Sequence, residues 1–173
     1  MSVIIAVDPG ITGAISIIDN VNGDFKDVID VPIVKVGKRN ELLISEYYKL
    51  VQQISNDYNG IVHASVEKVN SAACPAAMTA FVLSATYYVP QALFTALSIS
   101  QDLVMPTKWK KHYSLLKKDK DASRAVASRF YPVADLKYKK DHNRADAILI
   151  ARYTWETNPH LRTPNKIIRR KLK

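Results

Sequence analysis

Negative charge is in short supply in this sequence. Its 173 residues carry 16 Asp and Glu against 25 Lys and Arg, a formal charge of +9. Cysteine is almost absent. Cys74 stands alone, so no disulfide can form within the chain, and a reducing, cytoplasmic setting is the simplest expectation. Cys74 itself reads as a small core residue. No apolar run reaches the ~20 residues of a membrane-spanning helix. The first residues lack the basic region of a secretory signal, and their short apolar run ends in Asp8-Pro9. Internal repeats are missing as well. A disulfide scaffold, a helical membrane protein and a solenoid are thereby set aside. What is present is 47% hydrophobic residues, enough for one folded domain with a sizeable core. Excess positive charge on such a domain points to a polyanionic partner, nucleic acid first. A merely soluble basic surface is the plainer alternative.

The chain is organised around Val3-Ile4-Ile5-Ala6-Val7-Asp8-Pro9-Gly10-Ile11-Thr12-Gly13. An unbroken apolar, β-branched run suits a central strand buried on both faces. It ends in one carboxylate, and Pro9-Gly10 turns the chain at once. Asp before Pro-Gly is also a plain turn former, and this stretch alone supports both readings. Ala14 to Ile18 returns as an antiparallel second strand. Asn20 to Asp24 is a turn, and Phe25 to Val36 reads as a third strand interrupted by Pro32. Gly37 to Asn40 is a polar link. Glu41 to Asp57 has helical spacing, with Leu43, Tyr47, Leu50, Val51 and Ile54 on one side. Ile61 to Glu67 is a fourth strand, and it too ends in a carboxylate. Pro75 to Val89 reads as a buried helix that Pro90 breaks or kinks, with Gln91 to Ser98 as a second piece. Gln101 to Met105 is a short fifth strand. Asp121 to Tyr131 is an amphipathic helix with Ala122, Ala125, Val126 and Phe130 inward. Lys137 to Lys140 is a basic loop, and Ala145 to Trp155 is a final apolar helix. The expected division is one domain over residues 1–160 and a basic tail over 161–173.

Asp8 and Glu67 matter more together than singly, because neighbouring central strands bring their ends close. Asp146 opens the last helix and faces the same end if that helix packs over the sheet. Three converging carboxylates repel one another unless a cation sits between them, and hard ions such as Mg²⁺ or Mn²⁺ take oxygen ligands. Two such ions about 3.5–4 Å apart can clamp a phosphodiester, activate water and stabilise the leaving oxygen. His142, near Asp146, is the candidate for proton transfer. His63 lies mid-strand and reads as structural. Lys108, Lys110, Lys111, Lys117, Lys118 and Lys120 fall within 13 residues, with Trp109, His112 and Tyr113 among them. Such a run suits DNA binding through counterion release, against the plainer reading of a solvated loop. Lys108 or Lys110 beside the acids can also stabilise charge building on a phosphate. The last twelve residues hold six Lys or Arg and no acid, as a DNA-gripping arm or a solubilising end would.

Five pieces taken in order carry a resemblance. They are Val7-Asp8-Pro9-Gly10 with Thr12-Gly13, then Val66-Glu67-Lys68-Val69, then Pro106-Thr107-Lys108-Trp109-Lys110. Lys120 with Ser123, Ala127 and Phe130-Tyr131-Pro132 follow, and Asp141-His142-Asn143-Arg144-Ala145-Asp146-Ala147 comes last. In these the chain resembles the RuvC-type Holliday junction resolvases of the RNase H-like superfamily, and more closely their bacteriophage branch. The resemblance implies an α/β fold, a mixed five-stranded sheet flanked by helices, its first three strands antiparallel and the rest parallel. It implies a homodimer that binds four-way junctions and makes paired nicks with two Mg²⁺ or Mn²⁺ ions per active site, in a bacterial host cytoplasm. Asp8, Glu67 and Asp146 sit on the metal-ligand positions. Two positions depart from the pattern. The further Asp expected three residues before the last is Asn143, so the fourth ligand falls to Asn143, Asp141 or His142. The aromatic wedge expected three residues after the Glu is Asn70. Phe81, Tyr87 or Tyr88 stand as substitutes, although aromatics in an apolar helix are more often core. If a helix begins near His142, then Asn143 and His142 lie on the face of Asp146 and Asp141 caps the helix. Asn143→Asp is then expected to be tolerated.

The leading expectation is a metal-dependent, structure-selective endonuclease for branched DNA. The alternatives are an RNase H-like nuclease on flaps or RNA–DNA hybrids, a non-catalytic branched-DNA-binding module, and an actin-like nucleotide-binding domain. Retention of all three acids opposes the module, and 173 basic residues leave little room for the duplicated actin-like domain.

Overall fold

The computed structural model describes residues 1–69 and 76–163. In chain order the elements are β1 (Val3–Asp8), β2 (Ala14–Asp19), β3 (Phe25–Asp30), β4 (Ile33–Val36), β5 (Arg39–Leu42), α1 (Ile44–Asp57), β6 (Ile61–Glu67), α2 (Ala77–Ala96), β7 (Gln101–Val104), α3 (Pro106–His112), α4 (Lys120–Phe130) and α5 (His142–Thr157). The main sheet has five strands in the order β3-β2-β1-β6-β7. β1 to β3 pair antiparallel, and β6 and β7 continue parallel to β1. This is the mixed sheet the sequence led us to expect.

β1 is apolar at consecutive positions because both its faces are covered. Val3, Ile5 and Val7 meet Tyr47, Val51 and Ile54 of α1 and Phe94 of α2 in one core. Ile4 and Ala6 meet Trp109 of α3, Ala127 of α4 and Ala145, Ile148 and Leu149 of α5 in the other. Each buried Val or Ile contributes about 1.5–3 kcal/mol, which makes this strand the most firmly held in the sheet. α5 lies across β1 and β2 and is buried on almost every side from Ala145 to Ala151. Its first turn therefore has a fixed place at the rim where β1 ends.

Several sequence expectations need correction. The third strand stops at Asp30, because Pro32 has no N–H to continue the ladder. β4 leaves the sheet and pairs with β5 in a separate two-stranded ribbon. The expected polar link is the tip of that hairpin, where Gly37 takes φ 61°. Glu41 and Leu42 therefore belong to a strand, and the helix starts at Ile44. α2 runs through Pro90 as one helix. Pro90 offers no N–H to the Thr86 carbonyl, and Gln91 folds its side-chain amide back to the Tyr87 carbonyl at 2.6 Å. In α4 Ala122, Val126 and Phe130 pack against the core as expected, with Ser123 and Ala127 buried beside them, but Ala125 is exposed. Asp119 sets that phase by capping the helix, accepting the Ala122 N–H at 2.9 Å. Asp141 precedes α5 but spends its carboxylate on the Tyr138 N–H at 2.7 Å, closing a 3₁₀ turn rather than capping the helix. Tyr87 is buried, whereas Phe81 and Tyr88 are 72% and 63% exposed.

Asn70, Cys74 and Pro75 lie outside the described residues, as does the sequence after Thr163. Up to Thr163 the chain is tied down. Asn20 donates to the Leu161 and Thr163 carbonyls at 2.9 Å each, and Arg162 stacks 4.2 Å from the Trp155 ring. Among the described residues no helix is long and apolar enough to cross a membrane.

The β2–β3 turn is locked onto α5 at Gly23. Tyr131 Oη donates to the Gly23 carbonyl at 2.7 Å, and a Cβ at Gly23 would stand 2.9 Å from the Trp155 ring. Gly23 also takes φ +74°, which side-chain-bearing residues rarely adopt. Gly23→Ala is expected to cost about 2 kcal/mol through overpacking and backbone strain, read as a fall of several degrees in thermal melting. A melting temperature equal to wild type would show that the turn is not locked in this way.

Candidate active site

Val7 pairs with Val66, so Asp8 and Glu67 are register neighbours at the ends of adjacent parallel strands. The tight turn after Asp8 is what keeps its carboxylate at the rim. Gly13 donates its N–H to the Gly10 carbonyl at 3.0 Å, and a Cβ at Gly13 would overlap the Asp8 carbonyl. Gly10 takes φ +144°. Both glycines are thus required by backbone geometry.

Asp8 and Glu67 lie close enough to perturb each other's ionisation. Burial pushes the Asp8 carboxyl well above its usual range, and the nearby Glu67 and Asp146 charges push it further. Glu67 is also raised, by burial first. Trp109 opposes that shift by donating its indole N–H to Glu67 Oε1 at 2.8 Å. Lys110 opposes it at both acids, and its Nζ stands 5.1 Å from the Trp109 ring centre. Trp109 is fully buried, which corrects its reading as an aromatic of a DNA-binding run. It follows β7 directly on a short helix, so it faces the strand end beside Glu67 rather than solvent. Lys110 is half-buried beside the acids, while Lys108, Lys111, Lys117 and Lys118 are exposed and Lys120 opens α4.

Asp146 projects from the first turns of α5, close enough to act on both acids. Two straps hold that turn. Asn143 donates its amide to the Thr12 carbonyl at 2.7 Å and to Thr12 Oγ1 at 2.8 Å. Arg144 grips Asp30 with two contacts of 2.6 Å, and its hydrogen bonds hold Asp30 below the usual carboxylate range. The Thr12 contact changes what to expect of Asn143→Asp, since a carboxylate there would face a carbonyl and lose the strap. His142 donates Nδ1–H to the Lys139 carbonyl at 3.0 Å, so the basic nitrogen of its neutral ring is Nε2. His63 and His112 make structural contacts. His63 lies between Ser100 and Asp102, and His112 meets Glu156 at 2.7 Å. Glu156 also takes Tyr113 and Arg152, so it knits α3 to α5.

Among the described residues no group of three His, Cys, Asp or Glu is already gathered as a ligand cage. The donor set nevertheless suits a hard divalent ion. Asp8 and Glu67 offer carboxylate oxygens, and the charge of Asp146 acts on both, a repulsion that a hard cation would relieve.

No protein-family profile matches the chain, and no curated protein matches it in sequence. Solved structures do match. One is Thermus thermophilus RuvC in complex with Holliday junction substrate, at 13% identity over 93% of this chain and 98% of that one, with a TM-score of 0.63. Another is Thermus thermophilus RuvC alone, at 14% identity over 92% and 97%, with a TM-score of 0.57. The fold is RuvC-like. At this identity the likeness is one of fold.

The raised acids have a consequence for stability. The unfolded chain ionises Asp8 and Glu67 near pH 4, whereas the fold holds their protons to higher pH. Between those limits the folded state binds more protons, so these acids make the metal-free protein lose stability as pH rises. Asp30 and Asp102 act oppositely, since their lowered values make stability fall only as the medium becomes strongly acid. We therefore expect Asp8→Asn to melt higher than wild type at pH 7 without metal, by roughly 2–4 °C per kcal/mol of repulsion relieved. Equal melting temperatures at pH 7 would show that the acids do not strain the fold.

Proposed function

We propose that the chain is a metal-dependent, structure-selective DNA endonuclease that resolves four-way junctions by paired nicks as a homodimer. The observation that carries this reading is the convergence of Asp8, Glu67 and Asp146, with Lys110 beside them, at one rim of a RuvC-like fold. The net charge of +9 supports a polyanionic substrate. The motif pieces support a place beside the bacteriophage branch, and we treat the chain as one nuclease domain followed by a basic C-terminal segment.

In this reading Asp8, Glu67 and Asp146 hold two divalent ions, Mg²⁺ or Mn²⁺, with the Asn143 amide oxygen as a neutral fourth donor. Such ions supply Lewis-acid stabilisation of the attacking and leaving oxygens. Trp109 fixes the rotamer of Glu67 through its N–H. Lys110 places positive charge where the phosphate gains negative charge. His142, one helical turn before Asp146, takes the proton of the attacking water at Nε2. Lys108, Lys111, Lys117, Lys118 and Lys120 bind backbone phosphates and orient the junction over the acids.

Asp8→Asn, Glu67→Gln and Asp146→Asn are each expected to lower nicking of a synthetic four-way junction at least about a thousandfold while junction binding persists, in line with loss of charge stabilisation at a phosphoryl centre. The assay maps cut sites at nucleotide resolution and compares junction, flap, duplex and RNA–DNA hybrid. Paired cuts across the junction support the reading. Preferential cleavage of flaps or hybrids, or near wild-type nicking by any of the three variants, would overturn it.

A further inference from the structure

The strand order gives the β4–β5 hairpin a particular position. β1 and β6 are central, so Asp8 and Glu67 stand in the middle of the rim. α3 and its lysines follow β7 at one edge of the sheet. The hairpin follows β3 at the other edge and emerges at the same rim, because Asp8 pairs with Ala14 and Ala14 pairs with Asp30. Two basic elements thus flank the acids from opposite sides.

The hairpin is firmly rooted and otherwise bare. Leu42 is buried at its base, Leu43 donates its N–H to the Pro32 carbonyl at 3.0 Å, and Val31 donates to the Gly13 carbonyl at 2.9 Å. A cavity of about 470 Å³, lined by Gly10, Ile11, Arg39, Asn40, Met78 and Val82, separates it from the turn after Asp8. Every residue from Ile33 to Glu41 is exposed. Lys35, Lys38 and Arg39 are opposed by Glu41 alone within the hairpin, and among the described residues none of the three forms an ion pair. A two-stranded ribbon exposed on both faces gains little from its own packing. Its width suits the major groove of B-form DNA.

We infer that the β4–β5 hairpin is a second DNA-contacting arm, in which Lys35, Lys38 and Arg39 neutralise backbone phosphates across the cleft from α3. The inference deepens the junction-nuclease reading and rests on it. A second copy of this chain is a poorer occupant for this surface, because it carries the same net positive charge, whereas a phosphate backbone complements it. The exposed Ile33, Val34 and Val36 then lie against the walls of a groove rather than in a protein interface.

The test measures the salt dependence of binding to both a four-way junction and a linear duplex, in EDTA so that no nicking intervenes. Replacing Lys35, Lys38 and Arg39 together with Ala should reduce the log–log salt slope by about 2–3 and weaken binding on the order of 100-fold at 0.1 M salt. Its melting temperature should match wild type, since the three residues are exposed and none of them forms an ion pair among the described residues. A Lys49→Glu control on α1 removes two charges and should leave the slope unchanged. An unchanged slope in the triple variant would overturn the inference. So would a triple variant that binds with the wild-type slope but sediments at a smaller mass, which assigns the hairpin to contact between copies. The nuclease reading fails separately, if wild type binds DNA with a steep slope but does not nick junctions in Mg²⁺ or Mn²⁺.

Discussion

Carboxylate repulsion at the end of a buried strand is the constraint around which this molecule is arranged. β1 is covered on both faces, and the sheet delivers its final residue, Asp8, beside Glu67 with no choice of register. Burial and mutual charge both disfavour ionisation there. A fold that only needed stability would place apolar or paired residues at these two strand ends. Instead the strand ends carry two acids whose ionisation burial opposes.

The surroundings restrain the acids without neutralising them. Trp109 supplies one N–H to Glu67, a neutral donor that fixes geometry and leaves the charge in place. Lys110 sits near enough to lower both acids. Asn143 and Arg144 act at a distance from the charges. They fasten the first turn of α5 to Thr12 and Asp30, so Asp146 cannot swing away from the rim under repulsion. The straps resist the separation that repulsion between the acids would otherwise cause.

Much of this was legible in the sequence, and the reason is periodicity. The unbroken β-branched run from Val3 to Val7 suits a strand buried on both faces, and Ile61 to Glu67 repeats its ending in a carboxylate, so Asp8 beside Glu67 was the expectation. The sheet order followed from the resemblance. Other features were hidden because they depend on partners distant in sequence. Trp109 stands among lysines, and its burial is decided by the depth of β7 beside Glu67, 42 residues earlier. The hairpin was read as strand plus link, since Pro32 signals an interruption but not where the chain goes next. Ala125 was placed inward because alanine carries no marker of side, and the Asp119 cap set the helix phase instead. Pro90 was read as a break or a kink, and the helix continues through it because the burial of α2 in the core with Tyr47 and Val51 outweighs one lost backbone bond.

The central claim is that Asp8, Glu67 and Asp146 together form a cation site. Terbium luminescence sensitised by tryptophan tests it most directly, because Trp109 is hydrogen-bonded to one of the three acids and Trp155 lies against Gly23 instead. The account predicts a saturable emission that Mg²⁺ or Mn²⁺ displaces, that Trp109→Phe abolishes and that Asp146→Asn weakens strongly. Emission that is absent in wild type, or that survives undiminished in both variants, would contradict it.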